Sequence, residues 1–227
     1  MVIGIEGYVG AGKTSICREL LNIIPNSVML NGGNWYRAVV YAMLNSGKST
    51  EELAEITQNN DITEFMKDFG IELKIENNET IPYINGEKCD EEQLQNKQSS
   101  LAVSKIGRVA NNEKLFKVAH DLIEDLSKTH NVIISGRSIM LMYPEVDYHL
   151  FITASLDERV RRKLIQYNGE ESEESIRENL IERDKYHEEA GFHKLYDKTI
   201  VIDVTDCKSA HESTELVLKT IHYGDYK

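Results

Sequence analysis

The 227-residue chain has little of what marks a secreted, membrane-spanning or metal-centred protein. Its three cysteines, Cys17, Cys89 and Cys207, are odd in number, widely spaced and without a Cys-x-x-Cys pair. That argues against a disulfide framework or a zinc site and leaves free thiols. The seven histidines are scattered with no His-x-x-x-His pair, so none is read as a metal ligand. Three prolines make no proline-rich linker, and no internal repeat or low-complexity tail occurs. No apolar run reaches the roughly 18 residues of a membrane span, and Met1-Val2-Ile3-Gly4-Ile5-Glu6 lacks the basic start of a signal peptide, so a cytoplasmic protein is expected. Positive charge is scarce as well: 26 Lys and Arg face 38 Asp and Glu, a net charge of −12. Such a field repels nucleic acid and anionic membranes, so a phosphate ligand must be held by a local reversal of sign.

What is present suits one packed core. With 41% hydrophobic and 28% charged residues, the chain can bury an α/β core with an inserted subdomain. Buried strands are predicted at Val2 to Glu6, Ser27 to Leu30, Val132 to Ile134, His149 to Ile152 and Thr199 to Ile202. Helical spacing separates them, at Ser15 to Leu21, Trp35 to Leu44, about Glu91 to Thr129, Asp157 to Tyr167, Glu173 to His187 and Ala210 to His222. Strands alternating with helices imply a parallel sheet covered on both faces. Between residues 71 and 86 the period drops to two, ending at Asn85-Gly86, a hairpin-turn dipeptide, so a small antiparallel insert is expected there.

The chemistry is announced by Gly7-Tyr8-Val9-Gly10-Ala11-Gly12-Lys13-Thr14, which fits G-x-x-x-x-G-K-[ST] with a strand before it and a helix after. Its glycines let backbone N–H groups turn inward around phosphate oxygens. Gly7, Val9, Gly10, Ala11, Gly12, Lys13, Thr14 and Ser15 are therefore read as the binding loop of a purine nucleoside triphosphate. Lys13 would reach the β- and γ-phosphates, and the Thr14 hydroxyl would ligate Mg2+. Asp68-Phe69-Gly70 copies a protein-kinase tripeptide without its companion motifs, and Asn96-Lys97-Gln98-Ser99 lacks the Asp of a guanine-reading loop; neither is assigned a role. Arg159, Arg162 and Lys163 share one helix face, either as a solvated face balanced by Asp157 and Glu158 or as a cationic lid over the triphosphate. Arg37, Arg137 and Arg183 sit at element ends, where a P-loop sheet lines its phosphate cleft.

With these residues in view, the chain resembles the bacterial cytidylate kinases over nearly its whole length. After the P-loop come Gly33-Asn34-Trp35-Tyr36-Arg37, Ile84-Asn85-Gly86-Glu87, Ala102-Val103-Ser104-Lys105, Ser135-Gly136-Arg137, the run from Phe151 to Arg159, and Glu182-Arg183-Asp184. The resemblance implies a P-loop nucleoside monophosphate kinase-like three-layer α/β fold with a five-stranded parallel sheet. It divides the chain into a core of residues 1–61 and 98–227, with a lid at about 159–183, and an inserted acceptor-binding subdomain at 62–97. It implies an ATP-dependent phosphotransferase acting on a nucleoside monophosphate or related small acceptor. Lys13, Arg137, Arg159, Arg162 and Arg183 would be catalytic, and Arg37, Ser104, Arg137 and Ser138 would bind the acceptor.

The departures all fall on the acceptor side. The family's Ser before its Gly-Ala-Met-Tyr-Arg aligns with Gly32, an Asp before Gly-Arg with Ser135, a cytosine-reading Asp with Ser138, and a base-reading Arg with Glu113. A sugar-reading Asp becomes His187 and a phosphate-binding Arg becomes Ala190. A nucleotide-binding regulatory protein with a degenerate acceptor site is the alternative these positions motivate. Coupled ADP release over an acceptor panel separates it from an enzyme.

Overall fold

An apolar run without alternation needs cover on both faces, and Val2–Gly7 (β1) meets that demand: all six of its residues are buried. The computed structural model describes residues 1–59, 62–89, 94 and 112–224. Four more strands lie parallel with β1: Ser27–Asn31 (β2), Asn131–Ser135 (β6), Tyr148–Thr153 (β7) and Thr199–Asp203 (β8), in the order β2-β6-β1-β7-β8. On one face, Lys13–Ile23 (α1) and Ala210–Thr220 (α9) bring Ile16, Cys17, Leu20 and Val217 onto Ile3, Ile5, Met29, Ile133, Leu150 and Ile202. The opposite face is covered by Gly32–Asn45 (α2), Thr50–Asn59 (α3), Ile62–Asp68 (α4), Asn112–Ser127 (α5) and the short Ile139–Met142 (α6). Each fully buried Leu, Ile or Phe in these layers contributes about 2 kcal/mol of transfer free energy.

The insert is more closely joined to the core than its sequence suggests. Ile71–Glu76 (β3), Glu79–Ile84 (β4) and Glu87–Lys88 (β5) form an antiparallel meander. Its turns, Asn77-Asn78 and Asn85-Gly86, carry positive φ at both residues, as tight hairpin turns require. The meander is hydrogen-bonded to the main sheet: β4 runs parallel to β2 at Met29↔Glu79, and the Thr80 hydroxyl donates to the Met29 carbonyl. The sheet thus has eight strands rather than the five expected; the five parallel ones are present and the insert extends them. Phe65, Phe69 and Ile71 share a hydrophobic cluster with Val28 and Leu30.

Between β7 and β8 the chain leaves the sheet as a helical hairpin, Leu156–Gln166 (α7) and Glu173–Glu189 (α8). Ser155 and Ser172 cap the two helices by accepting from Glu158 N and Ser175 N. Val160, Ile176 and Leu180 close a small core of their own over Val9 in the glycine loop. No helix among the described residues is long and apolar enough to cross a membrane.

Candidate active site

The glycine loop turns where a side chain would not fit. Gly7 has φ of 140°, and a Cβ there would lie 2.0 Å from the Ile152 carbonyl oxygen. Gly12, at φ 95°, stands as the cap of α1, so that helix starts directly at Lys13 with no side-chain cap on its N–H groups. An uncapped helix N-terminus under a glycine loop is an anion site. Thr14 and Ser15 are exposed on its first turn, and the Thr14 hydroxyl is a hard oxygen donor of the kind Mg2+ takes.

Lys13 points back into the loop, donating to the carbonyls of Gly7 at 2.9 Å and Tyr8 at 2.7 Å. Desolvation, followed by the charges of Arg137 and Arg183, lowers its pKa to about 7 despite the opposing effects of Cys17 and Glu6. A triphosphate would restore the charge, so its binding takes up a proton wherever the free loop holds neutral lysine. Mg-ATP affinity is expected to be highest below about pH 7 and to fall as pH rises through the free-state value, approaching tenfold per unit. Calorimetry in buffers of different ionisation enthalpy, between about pH 7.5 and 9, should show proton uptake that Lys13→Met abolishes.

Across the cleft stand three guanidiniums. Arg137 follows β6 and is pushed down to about 10 by burial and then by Arg183 and Arg37. Arg37, on α2, donates to the Leu94 carbonyl at 3.2 Å and is lowered by burial and by Arg183. Among the described residues none of the three is in ion-pair contact with a carboxylate. Glu6 acts on Arg137 through space, but its buried carboxylate accepts from Ile139 N and fixes the start of α6. This is the sign reversal that a chain of charge −12 needs.

Arg159 and Arg162 are differently engaged from the expectation of contact with the transferred phosphoryl. Arg159 is 5% exposed, makes a two-pronged pair with Asp184 at 3.1 and 2.7 Å, and donates to the carbonyls of Ala154 and Val9. Its guanidinium lies 4.9 Å from the Tyr8 ring centroid. Arg162 donates to Ala11 O, Val204 O and Cys207 O, clasping the glycine loop to the loop after β8. Glu158, its pKa drawn to about 2 chiefly by the Arg161 hydrogen bond, also orients Arg162. Glu158 balances Arg161 and Arg162 as the solvated-face alternative has it, while the bonds of Arg159 and Arg162 to backbone carbonyls of the glycine loop belong to neither alternative. Asp184→Ala is expected to cost about 3 kcal/mol in urea unfolding, because it strands a buried guanidinium, and Arg159→Leu/Asp184→Leu should recover much of it.

Ser138 is where the acceptor reading puts it in sequence, beside Arg137, in a left-handed conformation (φ 56°) at the head of α6. Ser104 lies outside the described residues. Cys17 is buried, and desolvation pushes it up to about 12, so it stays a thiol. Sequence reasoning missed the engagement of His193: it follows α8 and packs on Tyr8 of the glycine loop at 4.5 Å and on Phe151 at 5.6 Å. The alternating-strand pattern and the motif give no signal for it, since a loop residue six positions after His187 has no periodicity to betray it.

A strand, glycine loop and helix suited to one anion, faced by guanidiniums suited to another, make a P-loop phosphotransferase of the nucleotide-kinase class. The chain matches the family described as cytidylate kinase over residues 3–223. It belongs to that family. It is 28% identical to the cytidylate kinase of Thermotoga maritima, covering 96% of each chain. It is 32% identical to that of Caldicellulosiruptor saccharolyticus over 72% of this chain and 68% of that one. The identity to the Clostridioides difficile cytidylate kinase is 27%, over 98% of both.

Proposed function

We propose that this chain transfers the γ-phosphoryl group of ATP, with Mg2+, to a phosphorylated acceptor of the nucleoside monophosphate class, and that CMP is not its preferred acceptor. The observation that carries the reading is the cluster of Arg37, Arg137 and Arg183, which has no carboxylate in ion-pair contact among the described residues and of which Arg137 and Arg183 act on Lys13. An acceptor bearing only hydroxyls would leave those charges uncompensated; a phosphomonoester dianion satisfies them. Thr14 would hold the metal, which supplies charge neutralisation between the β- and γ-phosphates when bound. Lys13 binds the same phosphates, Arg37 and Arg137 hold the acceptor phosphate with Ser104 and Ser138 toward its base, and Arg183 lies between donor and acceptor. An acceptor phosphate oxygen attacks Pγ as the bridge to ADP breaks; the attacking oxygen is already ionised, so no general base is required.

Arg159 and Arg162 act in this scheme as positioning residues, holding the carbonyls of Val9 and Ala11 so that the loop's N–H groups face inward. Residues 62–97 would form part of the acceptor region, and substrates of this kind fit an enzyme of the cytoplasm. Coupled ADP release with CMP, dCMP, UMP, AMP and GMP tests the reading. Turnover on at least one acceptor in preference to CMP supports it, whereas nucleotide binding without turnover on any overturns it in favour of a regulatory protein.

A further inference from the structure

Away from the cleft, the rim between α5 and the loop that leads from α6 to β7 gathers side chains of a different chemistry. A ligand atom from each of His120, Asp121 and Glu124 lies within 4.8 Å of the others. Positions 120 and 124 stand one above the other on α5 with 121 beside them, while Val118, Ala119, Leu122 and Ile123 turn into the core. The imidazole is flanked on three sides. Its Nδ1 lies 3.5 Å from Asp121 Oδ1, its Nε2 lies 3.4 Å from Glu145 Oε2, and its ring centroid is 5.0 Å from that of Tyr143.

The carboxylates around it are set for different tasks. Lys198 fixes Glu145 from behind by donating to the carbonyls on either side of it, Pro144 at 2.9 Å and Val146 at 2.7 Å. Asp121 gives its other oxygen to Lys117 at 2.5 Å, which leaves Oδ1 facing the ring. The nearby Lys128 and Asp125 pair with each other. Glu124 is exposed and makes no hydrogen bond or ion pair among the described residues, so its carboxylate is free to turn. An ion pair of His120 with Asp121 and Glu145 leaves Glu124 without a part; a cation takes in all three side chains of the helix.

The donor set selects the ion. One imidazole nitrogen with two carboxylate oxygens suits a borderline divalent ion such as Zn2+, Co2+ or Ni2+, whereas Mg2+ takes oxygen alone. Ligands held at about 2.1 Å stand roughly 3.4 Å apart around a tetrahedral ion, so the group closes by about 1 Å through rotation of Glu124. The ring nitrogen opposite the metal then carries the proton and faces Glu145, the carboxylate–histidine–metal arrangement that fixes the tautomer.

We propose that His120 through Nδ1, Asp121 and Glu124 form a binding site for a borderline divalent transition-metal ion, typified by Zn2+, with the Glu145 carboxylate orienting the imidazole. The ion fastens α5 to the loop after α6, on the face of the sheet opposite α1 and Thr14, so it is separate from the Mg2+ of the nucleotide and independent of the acceptor reading.

The test titrates the full chain with Zn2+ in excess Mg2+ and without nucleotide, followed by calorimetry and by 15N shifts of the histidine rings. One ion per chain is expected to bind, to move the His120 signals and to raise the melting temperature. Glu145→Gln should weaken binding by about tenfold or more, and losing a ligand in His120→Phe or Glu124→Gln should cost more. None of the three should alter Mg-ATP binding. Glu124 and Glu145 are exposed, so their variants keep the test decisive even if His120→Phe fails to fold. The competing donors are His211, which lies between Glu19 and Glu215, and the half-buried Cys207. Absence of saturable binding overturns the proposal and leaves the cluster as an ion-pair network. Binding that survives Glu124→Gln and Glu145→Gln, or that is lost in His211→Ala or Cys207→Ser instead, overturns it equally.

Discussion

Lys13→Ala is expected to leave a folded protein whose kcat falls by about 100-fold or more, the size of effect seen when one preorganised charged donor is removed from a developing negative charge. The fold should tolerate the change because the free protein already gains little from this charge. The amine is desolvated, repelled by Arg137 and Arg183, and among the described residues bonded to the Gly7 and Tyr8 carbonyls of its own loop. Circular dichroism and thermal melting should therefore match the parent while single-turnover transfer collapses. A folded variant with near-normal turnover would remove the donor site from the P-loop.

The second large effect concerns the acceptor. CMP is expected to show kcat/KM at least about 100-fold below the best acceptor, since a site stripped of its hydrogen-bond partners discriminates by that order. Three of the substituted positions have structural detail that supports this. Ser138 is too short to replace a carboxylate at the base edge, and its left-handed backbone is one that Asp also adopts, so Ser138→Asp is conformationally open. His187 is buried and neutral where the family resemblance implies an anion. Ala190, the C-cap of α8, offers no charge at all. Glu113 falls in the first turn of α5. Steady-state kinetics with CMP, dCMP, UMP, AMP and GMP, beside Ser138→Asp/Glu113→Arg, decide it; efficient and preferential CMP phosphorylation by the unmodified chain would refute it.

Much of this was legible in the residues because the signals were periodic or stereochemical. Uninterrupted apolar runs marked all five parallel strands, and Gly7, Gly10 and Gly12 marked a loop whose positive φ values only glycine adopts readily. Asn85-Gly86 gave away one turn of the meander, while Asn77-Asn78 was overlooked because neither residue is glycine. The four-residue α6 was missed for want of length, since one turn has no period. The pairing of Arg159 was hidden for a different reason. Its partner Asp184 is 25 residues away on another helix, and spacing along α7 says nothing about which charges a second helix will bring. The joining of β4 to β2 was invisible for the same reason: pairing across about 50 residues depends on where the chain returns, not on its local pattern.

Both excursions from the parallel sheet, residues 32–130 and 154–198, begin and end on strands that are immediate neighbours, β2 with β6 and β7 with β8. Because the strands are parallel, each excursion starts at one end of its strand and returns at the other end of the neighbour, four residues away in register and so about 14 Å apart whatever lies between, and closing a longer loop costs only about 0.6 kcal/mol per doubling. Selection could therefore rewrite or lengthen the first excursion without re-threading the sheet, whereas the second must keep Arg159 and Arg162 on the carbonyls of Val9 and Ala11. A lineage built this way is free to trade one acceptor for another while its donor chemistry stays fixed.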